Sequence, residues 1–133
     1  MSVLLDTHVW LWWVLPDSPL SAVERSALDR LAADRALSLS PMSLWEAQLL
    51  NRKGRLRLPL PFAEWLALAA HEDAVGLVPV DRDVILALDR LPDSFHGDPA
   101  DRMIVATARA NGLALATRDT AIRRSRLVRL WRP

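Results

Sequence analysis

Four acidic residues stand beside short apolar runs: Asp6 in LLDTHVWLWW (4–13), Glu46 in SLWE (43–46), Asp101 in DPAD (98–101), and Asp119 two residues past the run that ends at Thr117. If the fold gathers them, they repel. Two unit charges ~4 Å apart do so by about 1 kcal/mol in water and roughly 4 kcal/mol at an effective dielectric near 20. Such a cluster partly protonates or takes up a cation. A divalent ion turns repelling carboxylates into ligands, and oxygen donors in a chain without cysteine point to a hard ion, Mg2+ or Mn2+. That is the equipment of metal-assisted phosphodiester cleavage, in which the ion lowers the pKa of a water and neutralises charge building on the phosphate.

Each acid also has a purely structural reading. Glu46 can complete a capping box with Ser43, Asp98 can cap the helix opening at Pro99, Asp101 can complement a helix dipole, and Asp119 can cap a turn. Asp6 is harder to explain this way, because a carboxylate directly after a buried strand is costly unless paired or metal-bound. The joint placement of all four is what favours chemistry over capping.

That placement depends on the elements. Apolar runs and helical patterns alternate along the chain, which predicts a single α/β domain over residues 1–133, with a central, mostly parallel sheet of about five strands flanked by helices. The strands are expected at 3–5, 36–40, 77–80, 113–117 and 128–131. Helices are expected at 7–15, 22–33, 43–51, 62–70, 82–91 and 99–111. In an open parallel sheet, ligands gather at the carboxyl ends of the strands. Asp6 and Asp119 follow strands there, while Glu46 and Asp101 fall in the first turns of adjoining helices.

With 133 residues and a net charge of +1, the chain can bury one core, and its overall field says little about partners. The charge is unevenly spread, with basic segments at NRKGRLR (51–57) and RDTAIRRSRLVRLWR (118–132). The apolar stretch 3–15 lacks a preceding basic residue and is broken by Asp6 and His8, so a soluble, cytoplasmic protein with no membrane association is expected. His8, His71 and His96 suggest no catalytic role.

The segments LLDTHVWLWW, SPMSLWEAQLLNRKGRLRLP (40–59), LPDSFHGDPADRMIVATARANGLALATRD (91–119) and the closing VRLWRP resemble the PIN-domain ribonucleases, specifically the VapC-type toxins of bacterial toxin–antitoxin pairs. The likeness spans essentially the whole chain. It implies that Asp6, Glu46, Asp101 and Asp119 bind one or two Mg2+ or Mn2+ ions, Asp6 and Asp101 most directly, with Asp98, Thr7 and Thr117 as supporting neighbours. One departure is Ala100, where related sequences often carry an aromatic. The implied reaction is in-line attack of metal-activated water on an RNA phosphodiester, leaving a 5′-phosphate and a 3′-hydroxyl.

The same resemblance implies a cognate antitoxin and a homodimer. The basic segments then offer two rims for RNA: Arg52, Lys53, Arg55 and Arg57 on one side, Arg118, Arg123 and Arg124 on the other. Trp10, Trp12 and Trp13 make the first helix apolar almost all round, which suggests a partner contact. Two other classes compete. A PIN-like module that binds RNA or a partner without cutting would be expected to have lost an acid, and none is missing. A phosphatase with an aspartyl nucleophile needs a second Asp two residues after the first, where His8 stands.

Overall fold

The first strand, Val3–Leu5 (β1), is completely buried and has one residue facing each way in turn. Val3 and Leu5 enter one core with Trp10, Leu28, Leu39 and Trp65, while Leu4 enters a second with Val84, Ile104, Val105 and Leu115. A strand covered on both faces has no polar side to present, which is why its sequence reads as an unbroken apolar run.

The computed structural model describes residues 2–95 and 97–133, so the expectation concerning His96 lies outside the described residues. Beside β1 lie Leu37–Leu39 (β2), Gly76–Leu77 (β3) and Ala114–Ala116 (β4), in the spatial order β3-β2-β1-β4. All pairings are parallel, with Leu4 opposite Ser38 on one side and Leu115 on the other. The run expected as a fifth strand, 128–131, contributes a single parallel bridge between Leu130 and Leu115. There Leu115 donates to the Arg129 carbonyl and Trp131 donates back to Leu115.

Helices cover both faces: Thr7–Val14 (α1), Ala22–Ala33 (α2), Pro41–Arg52 (α3), Phe62–Ala69 (α4), Arg82–Asp89 (α5), Pro99–Asn111 (α6) and Thr120–Ser125 (α7). Of these, α7 was not anticipated from the sequence. The α6 boundaries follow local chemistry, since Asp98 accepts the Asp101 amide, Pro99 takes the first turn and Gly112 closes the helix at φ 62°. No described helix is long and apolar enough to cross a membrane.

Two expectations need correction. The capping box at Ser43 and Glu46 does not form, because Ser40 caps α3 instead, accepting from the Met42 amide just ahead of Pro41. Proline needs no amide partner and is already set for a first helical position, so the helix starts two residues early. Glu46 therefore lies in the second turn, free of any capping duty. Trp10 is not a surface residue: it is fully buried, packs against Trp65 and donates from its indole nitrogen to the Ala69 carbonyl at 2.9 Å. The first helix has its most apolar side in the core.

Candidate metal centre at the carboxyl edge of the sheet

Asp6 leaves the end of β1 as the N-cap of α1 and is buried, 4% exposed. One carboxylate oxygen accepts the Thr7 amide at 2.8 Å, and the other accepts the Thr117 hydroxyl at 2.6 Å. Burial nevertheless pushes its pKa above the ordinary carboxylate value, with the charge of Asp119 adding to the effect and the two hydrogen bonds and His8 opposing it. The carboxylate is thus held in place but poorly solvated.

Glu46 is fixed from the same point. The Thr7 hydroxyl donates to its Oε1 and also meets the Ser43 hydroxyl at 2.8 Å, so one buried side chain ties α1 to α3. The Glu46 pKa is raised by burial and by the charges of Asp98 and Asp6. Its approach to Asp6 follows from β1 and β2 being neighbours with both helices rising from the same edge.

Asp101 reaches this edge because α6 runs back towards the start of β4, which places its first turn at the carboxyl end of the sheet. Burial, then Asp98, Asp6, Asp119 and Glu46, together raise its pKa to about 7. Every one of those causes disfavours charge, so Asp101 is the group on which the cluster's repulsion concentrates. Asp119 caps α7 by accepting the Ile122 amide at 2.9 Å, and its own amide receives support from the Thr117 hydroxyl oxygen at 3.0 Å.

Asp6, Glu46 and Asp119 are therefore all within electrostatic reach of Asp101, with Asp98 as an exposed fifth. Among the described residues no three such groups are drawn around a single point as a ready-made cage. The donor chemistry still fits a hard divalent cation: every candidate ligand is an oxygen, Asp6, Glu46 and Asp101 resist ionisation, and a cation would reverse that penalty. Thr7 and Thr117 orient carboxylates through their hydroxyls, as supporting groups do at metal sites.

Sequence reasoning missed three contributors. Ser43 belongs to the Thr7–Glu46 network, and its signal was a position three residues before Glu46 on one helix face. Glu24 of α2 binds Arg118 through both carboxylate oxygens, at 2.6 and 2.7 Å, and Arg118 also lies 5.6 Å from the centre of the Trp12 ring. Gly97 leaves room beside Asp101, since a Cβ there would come within 2.9 Å of the Phe95 ring and 3.2 Å of the Asp101 Cβ.

The expected RNA rims divide. Arg52, Lys53, Arg55 and Arg57 are exposed around the end of α3, and Arg55 lines a cavity of about 280 Å3 with His8 and Trp12. On the other side Arg118 is engaged by Glu24, Arg123 donates to the Thr117 carbonyl at 3.0 Å, and Arg124 is exposed. Trp12 and Trp13 remain half-buried, the latter donating to Asp29.

A parallel sheet with these acids along one edge is the arrangement of a PIN domain, and the PIN-domain family model matches residues 3–126; the chain belongs to that family. It is 39% identical over 126 residues to Ribonuclease VapC22 of Mycobacterium tuberculosis, covering 94% of this chain and 92% of that protein. In fold it is similar to VapBC2 from Rickettsia felis bound to a promoter DNA fragment, with a TM-score of 0.75 and 15% identity over 98% of both chains. It is similar also to FitAcB from Neisseria gonorrhoeae, with a TM-score of 0.69 and 22% identity over 98% of this chain and 96% of that one.

Proposed function

We propose that this protein is a divalent-metal-dependent endoribonuclease of the VapC type, the toxin of a toxin–antitoxin pair, acting on RNA in the cytoplasm. The observation that carries the reading is the set Asp6, Glu46, Asp101 and Asp119 at one sheet edge, with Asp101 raised to about 7 by burial and by its acidic neighbours. The 39% identity to a protein named as a ribonuclease supports the same reaction.

Asp6 and Asp101 would hold one or two Mg2+ or Mn2+ ions, with Glu46 and Asp119 completing the ligand set. When bound, the cation supplies charge neutralisation at the phosphodiester and makes a water acidic enough to attack at neutral pH. The chain's own residues do the positioning. Thr117 and the Thr7 amide fix the two oxygens of Asp6, the Thr7 hydroxyl fixes Glu46, and the exposed arginines of both rims draw in the phosphate backbone. A cognate antitoxin and a second copy of the chain are the proposed protein partners, with half-buried Trp12 and Trp13 as contact candidates.

The test is cleavage of single-stranded RNA with Mn2+ and with chelator, comparing the wild type with Asp6→Asn and Asp101→Asn. Metal-dependent cleavage lost in both variants is expected; equal activity in all three proteins overturns the assignment and leaves a binding module.

A further inference from the structure

A cavity of about 300 Å3 opens beside the acids, between the end of β4, helices α1, α2 and α7, and the carboxyl-terminal segment. Thr117 forms part of its wall, and the hydroxyl of that residue holds Asp6. The remaining wall carries three guanidinium groups, Arg118, Arg123 and Arg132, with Trp131 and Val9 as apolar surfaces. Its volume matches the lower end of ligand-sized cavities, roughly 300–1,000 Å3.

We propose that this cavity is a nucleotide subsite of the RNA-cleaving centre, in which a base packs against Trp131 while Arg123 and Arg132 take the adjoining phosphate. This rests on the ribonuclease reading above and extends it to residues outside the acidic set.

The charge balance selects nucleic acid. The one acidic side chain in the described wall, Glu24, is consumed by Arg118, so the pair is locally neutral and fixed in position. Arg123 and Arg132 form no salt bridge among the described residues, so two guanidinium groups line the cavity outside the Glu24–Arg118 pair. Arg118 is held by both oxygens of Glu24 and lies over the Trp12 ring, which fixes it as part of the wall, whereas Arg132 is exposed and able to meet a phosphate. Arginine suits that task because its planar donors engage phosphate oxygens in pairs.

The aromatic wall supplies the second element. Trp131 is half-buried and packed against the core on its inner side, and its backbone amide is pinned to the Leu115 carbonyl at 2.9 Å. A base that stacks on such a ring needs no particular sequence, since every base has a π-face. Because Thr117 belongs both to this wall and to the Asp6 carboxylate's support, a nucleotide seated here has its sugar-phosphate next to the acids.

The test uses full-length protein carrying Asp101→Asn and a fluorescein-labelled single-stranded RNA, with binding followed by anisotropy in chelator. Trp131→Leu and Arg132→Gln, each added to that background, are expected to weaken binding by about tenfold, and Trp131→Phe to restore most of it. Arg132 is exposed, so its variant reports on the cavity even if Trp131→Leu proves unstable. In the active protein the same two changes should raise KM by a similar factor with little effect on kcat.

Unchanged RNA affinity in Arg132→Gln and in folded Trp131→Leu overturns the subsite. So does a pattern in which both variants lose affinity for a protein partner while RNA binding is untouched, which would make the cavity a protein-docking surface. Failure of the wild type to cut RNA, with Trp131-dependent binding intact, instead removes the nuclease reading and leaves the nucleotide site standing.

Discussion

Asp6 is buried, its carboxyl pushed above the ordinary carboxylate value, and it is held by only two donors; the contribution of Thr117 to that balance can be measured. Thr117→Val removes the 2.6 Å hydroxyl contact that favours the ionised carboxylate, so the Asp6 pKa rises further. Activity at neutral pH should drop by about tenfold, and the pH at which cleavage rises should move upward; a uniform loss with an unmoved profile would mean that Thr117 only packs. Asp101 gives a second reading of the same electrostatics. Its folded pKa of about 7 lies above its ordinary 3.8, so between those values the folded state binds the extra proton. The metal-free protein therefore loses stability as pH rises from about 4 to about 7, and this slope should flatten in Asp101→Asn. Because cations compete with that proton, the upward shift in melting temperature caused by Mn2+ should be larger at pH 8 than at pH 6, as differential scanning fluorimetry can check.

At the scale of elements, Asp119 has two duties that substitution separates. Asparagine caps a helix about as well as aspartate, so Asp119→Asn should keep the melting temperature and lose cleavage, whereas Asp119→Ala should lose cleavage and about 1 kcal/mol of stability. Calorimetry alongside the RNA assay distinguishes the two. The strand that delivers Asp6 was legible because its apolar run is interrupted by one carboxylate, and α6 was legible from Asp98, Pro99 and Gly112. The start of α3 was not, since Ser40 before proline and Ser43 before Glu46 are both valid caps, and the local pattern carries nothing about which hydroxyl Thr7 will occupy. Helix α7 was hidden for a different reason: with arginines at 123 and 124 and a single buried residue, Ile122, it has almost no apolar face to read. The convergence of the acids could be inferred from strand ends, but the Glu24–Arg118 pair joins residues 94 positions apart and has no local signature.

Across the whole molecule, two cores share one thin sheet, and Trp10 shows how the first of them is tied to α4 in the outer layer. Trp10→Phe keeps most of the ring volume but leaves the buried Ala69 carbonyl without its donor, and should lower stability by about 1–3 kcal/mol with the fold retained. Denaturant unfolding with an unchanged slope would report that loss; unchanged stability would mean that the carbonyl finds another partner. The sheet also has a biosynthetic consequence. Its central strand is made first, yet one of its two neighbours comes from residues 114–116, and the Asp6–Thr117 contact spans 111 positions. At about 5–20 residues per second, a ribosome spends several seconds or more between emitting the two. A chain cut short before that point lacks β4, Thr117 and Asp119 together, so an incomplete translation product carries neither the hydroxyl that holds Asp6 nor the full set of proposed ligands.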